Sequence, residues 1–200
     1  MLEFVQNNWV SIVGAIIGLL YLYLEYKANI MMWAASIVMA AFYIYIFYDT
    51  QLYASMAIYV YFFAASAYGW ILWLTKYKRT ETDSGVTIHA PKSSIIPIIG
   101  GIIVVFVIIY LLLIHYTIDQ DYLTIGDALT TSLNIVALWM ISRRWVEQWL
   151  LLIPANAISS ILLFVQHDIM SGSLFVIFFI VSIFGYYKWK KLAITPPKLT

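Results

Sequence analysis

Cysteine is absent from this 200-residue chain, and charged residues make up only 10% of it. The absence of cysteine excludes disulfide bonds and thiolate metal sites. With 64% hydrophobic residues and a mean hydropathy of +0.89, the chain has too little polar surface for a soluble globule. It is therefore predicted to be an integral membrane protein that lies in the lipid bilayer.

Ionisable side chains are also missing from the middle of every apolar segment. Ion-coupled transport usually needs a carboxylate there, and a retinal pigment needs a lysine. The phosphate-binding loop GxxxxGK[ST] does not occur either, which excludes ATP hydrolysis by this chain. With these classes excluded, the sequence predicts a neutral, aromatic path through the membrane for a small solute. No cofactor, metal site or enzymatic activity is predicted.

Seven apolar segments have the roughly 17 to 25 residues that a membrane-spanning helix needs. Their apolar runs are continuous rather than alternating, which favours helices over the strands of a barrel. The predicted spans are 9–26, 30–48, 53–75, 95–116, 123–142, 145–165 and 170–187.

Residues 13–73 recur without a gap 116 residues later, as residues 129–189. Eleven of the 61 aligned positions are identical, and the shared Trp, Ser and Gly residues carry the signal, because Leu, Ile and Val coincide by chance in so apolar a chain. Four crossings separate the two starts, so the repeats are predicted to be parallel. The chain is predicted to be an all-α bundle in the 3+1+3 order of SWEET-like transporters, with its substrate site where the repeats meet.

This order divides the chain into five parts. They are a first three-helix repeat (9–75), a flexible cytoplasmic loop (76–94), a linking transmembrane helix (95–116), a second three-helix repeat (123–190) and a cytoplasmic tail (191–200).

The basic residues orient the predicted bundle. All eleven Lys and Arg residues fall on the face opposite the amino terminus, whereas the amino-terminal face carries acidic residues alone. Because positive residues in short loops mark the cytoplasm, the amino terminus is predicted outside and the carboxyl terminus inside. Basic residues beside a span also explain the cluster at 76–79 better than a nucleic-acid site does, so no nucleic-acid partner is predicted.

The fifth and sixth spans hold the most polar interior faces. Trp149, Asn156 and Ser160 are spaced i, i+7 and i+11 and share one helical face, while Thr131 and Asn134 are spaced i and i+3. An Asn amide in lipid needs hydrogen-bond partners, which directs it toward the bundle interior. Contact with substrate and hydrogen bonding between helices are both open for these five residues.

The matching face of the second span carries Trp33, Ser36, Ala40 and Tyr43, with no amide among them. Trp33 and Trp149 occupy the same position of the repeat. Aromatic faces attract cations without a carboxylate. The predicted ligand is therefore a small cationic aromatic molecule, held asymmetrically, with more hydrogen bonds from the second repeat.

Other notable positions are predicted to be structural. Trp9, Trp73 and Trp189 lie near span ends, as do Trp70 and Trp145, where tryptophan commonly anchors a helix at the membrane surface. The serines and glycines of the third helix of each repeat are predicted to permit close helix packing. Asp127, near the start of the fifth span, is predicted to cap that helix.

Several segments resemble the PnuC family of vitamin transporters. They are YGWILW at 68–73, LNIVA at 133–137 followed by Arg143 and Arg144, GYYKW at 185–189, and the pair Trp149 and Asn156. The resemblance covers nearly the whole chain. It implies a bacterial inner-membrane protein that carries nicotinamide riboside by facilitated diffusion, a cytoplasmic salvage kinase that traps the product, and a homotrimer.

The sequence departs from nicotinamide riboside carriers at several positions. After the first Trp those carriers often have Pro and Gly and then an Asn, where this chain has Ala34, Ser36 and Ala40. They also tend to have a Gln and a second Trp where this chain has Leu138 and Leu152. The loss of an amide and an aromatic ring is expected to alter the ribose and ring contacts. Nicotinamide riboside is the first substrate candidate, thiamine the second and riboflavin the third.

Two other classes of protein remain as alternatives. A heptahelical receptor or sensor would bind the ligand without moving it, but the loops are short and no signalling domain follows. A membrane enzyme would need convergent titratable groups, for which His115, Asp119 and Asp127 are the only loose cluster.

Overall fold

The computed structural model describes residues 2–51, 53–75, 87–116 and 122–194. Within these ranges the chain forms seven long α-helices, one turn of 3-10 helix at Lys92–Ser94, and two very short strands. The helices are α1 (Leu2–Tyr26), α2 (Met31–Asp49), α3 (Tyr53–Thr75), α4 (Ile95–Tyr116), α5 (Tyr122–Ser142), α6 (Gln148–Val165) and α7 (Ile169–Leu192), and the strands are β1 (Thr87–Ile88) and β2 (Ala193–Ile194).

The all-α fold with seven helices is the predicted one. In the part of the chain that the structure describes, six helices are long and apolar enough to cross a membrane. Helix α1 contributes a shorter apolar stretch, Ile12–Tyr26, within its 25 residues. Helix α1 begins before residue 9, where the first span was predicted to begin, and α7 ends after residue 187, where the seventh span was predicted to end. At the end of α7 the basic residues Lys190 and Lys191 occupy the last turn, where they complement the helix dipole.

Among the described residues, four other than glycine have a left-handed backbone, and they form two pairs 116 residues apart. Ala28 (φ 51°) corresponds to Arg144 (φ 59°), and Gln51 (φ 60°) corresponds to His167 (φ 61°). Each follows the end of a helix, where a left-handed residue lets the next amides bond back to the last carbonyls. Asn29 N–H, for example, donates to the carbonyl of Leu24 at 2.9 Å. The helix ends therefore follow the repeat seen in the sequence.

The chain folds as two compact units, Met1–Thr80 and Glu81–Thr200. In the first unit, α2 packs against both α1 and α3. In the second unit, each of the helices α4, α5 and α6 packs against the next one along the chain. The second unit contains the sixth span, whose polar face is the main candidate for a site.

The prediction of a flexible loop at 76–94 is wrong for residues 87–94, which contain strand β1 and the 3-10 turn. Residues 76–86 lie outside the described residues. Strand β1 pairs in parallel with β2, and Ile88 also bridges to Trp145. Thr87 is buried, and its hydroxyl donates to the carbonyl of Trp189 at 2.7 Å. The two strands are only two residues long, which is why no alternating pattern in the sequence indicated them.

One acidic side chain fastens this segment to the start of α6. The Glu147 carboxylate contacts His89 Nδ1 at 2.7 Å through one oxygen and accepts the Ala90 amide at 2.7 Å through the other. The segment after residue 86 is thereby held against the connection between α5 and α6.

Candidate functional site

A pair of perpendicular tryptophans is buried in each unit, near one end of the helices that carry it. Trp33 packs edge-on against Trp73, and Trp149 packs edge-on against Trp189, each with ring centroids 5.7 Å apart at 83°. All four side chains are at most 1% exposed. The prediction that Trp73 and Trp189 are membrane-surface anchors is therefore wrong, because an anchor keeps one edge in the polar interface whereas these rings are enclosed.

A glycine makes room for the first tryptophan of each pair. A β-carbon added to Gly185 would lie 2.7 Å from Cη2 and Cζ2 of Trp149, and one added to Gly69 would overlap the Trp33 ring. The close helix packing predicted for these small residues is confirmed at both positions. The same ring, partner and glycine thus recur at positions 116 residues apart.

The indole nitrogens of Trp33 and Trp149 are buried donors. Neither Nε1 has a hydrogen-bond partner among the residues that the structure describes. An unsatisfied buried donor costs about 1 to 3 kcal/mol. The same indole donor is thus buried without a described partner in both units.

The polar candidates of α2 and α6 bond to neighbouring helices. Ser36 and Ser66 share a hydrogen bond of 2.7 Å in the first unit, and the Asn156 amide donates to Ser182 Oγ at 3.0 Å in the second. Ser160 donates to the carbonyl of Gly172 at 3.0 Å. These bonds are those expected of residues that hold helices together in lipid.

The remaining candidates are two residues of α5, which bond within their own helix, and Tyr43 of α2, which packs against a ring of α3. In α5, Asn134 donates to the carbonyl of Thr130 at 2.9 Å, and the Thr131 side chain hydrogen-bonds to Asp127. In α2, the Tyr43 ring lies 4.8 Å from that of Tyr59. None of these contacts tests whether the eight candidate residues bind substrate, so that role stays a prediction.

A cavity of about 510 Å³ lies in the second unit, beside these residues rather than at them. It sits where α4 ends, α5 begins, α6 ends and α7 begins. The sequence did not indicate this cavity, because its lining residues come from four helices whose arrangement only the tertiary structure shows. The lining residues are Leu113, Leu123, Thr124, Asp127, Thr130, Ser159, Leu162, Leu163, Gln166 and Phe175.

Asp127 is the one ionisable residue among those lining residues. Helix α5 begins at Tyr122, so Asp127 lies five residues inside it, about 7 Å along the axis. The prediction that it caps the helix is wrong for this reason, because an N-cap precedes the first turn. The closeness of Asp127 to Thr124 and Thr130, at i−3 and i+3, is the sequence signal that would have indicated a polar helix face.

The cavity suits a small organic molecule. Ligand sites typically measure 300 to 1,000 Å³ and combine apolar walls with a few polar groups, as this one does. Over the described residues, no three His, Asp or Glu side chains lie together as a metal site would require. The available chemistry is hydrogen bonding, aromatic contact and one carboxylate.

Known proteins show the same architecture over nearly the whole chain. The chain is 25% identical over 203 residues to the nicotinamide riboside transporter PnuC of Escherichia coli, covering 91% of this chain and 85% of that protein. It is 27% identical over 188 residues to the nicotinamide riboside transporter PnuC of Haemophilus influenzae, covering 93% and 81%. A solved structure, described as the crystal structure of the vitamin B3 transporter PnuC, matches with a TM-score of 0.71 and 21% identity, covering 95% of this chain and 84% of that one.

The family model described as nicotinamide mononucleotide transporter matches residues 8–191. This match covers both units, including the tryptophan pairs and the cavity. Proteins of this family are multi-pass membrane transporters rather than enzymes. The chain belongs to the nicotinamide mononucleotide transporter family, which includes the PnuC transporters.

Proposed function

We propose that the chain is a facilitative transporter of nicotinamide riboside. The observation that carries the proposal is the likeness to nicotinamide riboside transporters over more than nine-tenths of the chain. The absence of an ionisable residue from the middle of every predicted span supports a uniporter, because coupling to a proton or sodium ion usually needs one.

Trp149 and Asn156 are proposed as the main substrate contacts. The Trp149 indole N–H is a buried donor without a described partner, and one hydrogen bond, donated to Ser182, is described for the Asn156 side chain. The Asn156 carbonyl oxygen can therefore accept from a ribose hydroxyl while its amide stays bonded to Ser182. Because Trp149 is fully enclosed in this conformation, substrate reaches it when the helices of the second unit move apart.

The remaining elements of the proposal concern the direction of uptake. With the amino terminus outside and the carboxyl terminus in the cytoplasm of a bacterial cell, phosphorylation by a cytoplasmic salvage kinase would trap the substrate and drive net uptake. We further propose that the protein assembles as a homotrimer, which native mass spectrometry of the purified protein tests directly.

Thiamine is the second candidate substrate. It too is a permanently cationic aromatic ring, and the observation that favours it is the chain's departure from nicotinamide riboside carriers at Ser36, Ala40 and Leu152. A site with fewer amides fits a substrate that has fewer hydroxyl groups than a ribose nucleoside.

Calorimetric titration of the purified protein with nicotinamide riboside, thiamine and riboflavin tests the proposal. We expect nicotinamide riboside to bind most tightly. Tightest binding of thiamine would transfer the assignment to the second candidate, and binding of none of the three would contradict a vitamin transporter.

A further inference from the structure

The cavity in the second unit contains one charged group that the fold does not use. Asp127 is exposed, lines the cavity and accepts a hydrogen bond from Thr131 of its own helix. We propose that this cavity is a subsite for an organic molecule with a fixed positive charge, and that Asp127 is its counter-ion. The proposal rests on the function proposed above, and it adds a second position, toward the opposite end of α6 from Trp149, at which the second unit contacts the cationic substrate.

No described residue forms an ion pair with Asp127. An ionised carboxylate has about four lone-pair positions, so the bond from Thr131 leaves most of its accepting capacity unused. A carboxylate inside a membrane span is costly and is usually kept for a functional reason. Its charge is thus directed at whatever enters the cavity.

Asp168, at the same end of this unit, is an aspartate with a structural role and serves as a comparison for Asp127. It is the residue before α7, and its carboxylate accepts the Ser171 amide at 3.0 Å as the N-cap of that helix. Asp127 lies five residues inside α5, where the backbone amides are already bonded within the helix. The role that explains Asp168 therefore does not explain Asp127.

The other polar residues of the cavity are neutral. Thr124, Thr130, Ser159 and Gln166 can donate to or accept from hydroxyl and amide groups, but they add no second charge. An inorganic cation such as Ca²⁺ takes six or more oxygen ligands and commonly several carboxylates, which this cavity lacks. A volume of about 510 Å³ with one carboxylate and apolar walls fits a ring that carries a single positive charge.

The test compares two ligands of the same shape and different charge on the purified full-length protein. Nicotinamide riboside has a positively charged pyridinium ring, and its reduced dihydro form is uncharged. Calorimetric titration of the wild type is expected to show at least tenfold weaker binding of the reduced form. Asp127→Asn is expected to weaken binding of the cation by about tenfold and to remove the preference, whereas Asp127→Glu keeps it.

Asp168→Asn is the matched control. It removes a carboxylate from the same end of the unit, but asparagine caps a helix as well as aspartate does. We expect it to bind both ligands as the wild type does. A thermal melt of each variant by tryptophan fluorescence establishes that the protein compared is folded.

The possible results separate the two proposals. If the wild type binds neither ligand, the proposed function fails, and this subsite fails with it. If folded Asp127→Asn still prefers the cation as strongly as the wild type, the counter-ion role is overturned while the transport proposal stands. If binding to the wild type requires sodium ions and Asp127→Asn loses that requirement, the cavity holds an inorganic cation and the proposal is likewise overturned.

Discussion

Substitution of Gly185 by alanine probes the packing of α7 against the buried Trp149 ring. The new β-carbon would lie 2.7 Å from Cη2 and Cζ2 of Trp149 and 2.8 Å from Cε2, against an ordinary carbon contact of about 3.5 to 4.0 Å. Trp149 is fully buried and packs edge-on against Trp189, so its ring cannot tilt without displacing the second one.

The expected loss of stability follows from two opposing effects. Overpacking a well-filled core costs about 1 to 3 kcal/mol. Alanine in place of glycine within a helix returns up to about 1 kcal/mol. Because the β-carbon would lie under 3.0 Å from three atoms of a fully buried ring, the overpacking cost should fall in the upper part of its range, and we expect Gly185→Ala to lower the free energy of unfolding by about 1 to 2 kcal/mol. For a chain of this length each kcal/mol corresponds to about 2 to 4 °C, so the midpoint should fall by roughly 2 to 8 °C.

The assay is thermal unfolding of the purified protein, followed by intrinsic tryptophan fluorescence. Gly69→Ala should destabilise the protein in the same way, because the β-carbon would overlap Trp33. Gly100→Ala is the matched control, since a β-carbon on Gly100 meets no atom within 4 Å. A Gly185→Ala variant as stable as the wild type, or no more destabilised than Gly100→Ala, would refute the packing described here.

Three further substitutions test ligand binding and thermal stability separately. Asn156→Ala should weaken nicotinamide riboside binding by about tenfold in calorimetry, because it removes the proposed acceptor. Trp9→Ala changes a half-exposed ring and should lower thermal stability without changing binding. Equal binding by both variants would argue against the site. Glu147→Ala removes the acceptor of the Ala90 amide and the partner of His89, and should cost about 1 to 2 kcal/mol in a thermal melt, while an unchanged melt would show that the strand segment adds no stability.

The helices could be predicted from the sequence because membrane burial leaves a direct record in composition. A continuous apolar run of about 20 residues has few alternatives to a helix in lipid, since every backbone amide must be satisfied within the segment. The observed limits of α3 (Tyr53–Thr75) and α4 (Ile95–Tyr116) coincide with the predicted spans. The repeat was visible for a related reason, because Trp, Ser and Gly have specific partners that Leu and Ile lack.

The candidate site was less predictable because hydrogen-bond partners depend on tertiary packing. The sequence placed Asn156 inside the bundle, yet only the structure identified Ser182 as its partner. Trp73 and Trp189 were misassigned because position near a span end does not show whether a ring faces lipid or packs against a tryptophan of the neighbouring helix. Asp127 was misassigned for a similar reason, since the helix begins at Tyr122, before Asp127 rather than after it.

Uptake of labelled nicotinamide riboside into liposomes containing the purified protein tests the central claim most directly. We predict that the ligand reaches equal concentrations inside and outside without any ion gradient, and that an ionophore leaves the rate unchanged. Uptake that occurs only with an imposed proton or sodium gradient would contradict facilitated diffusion.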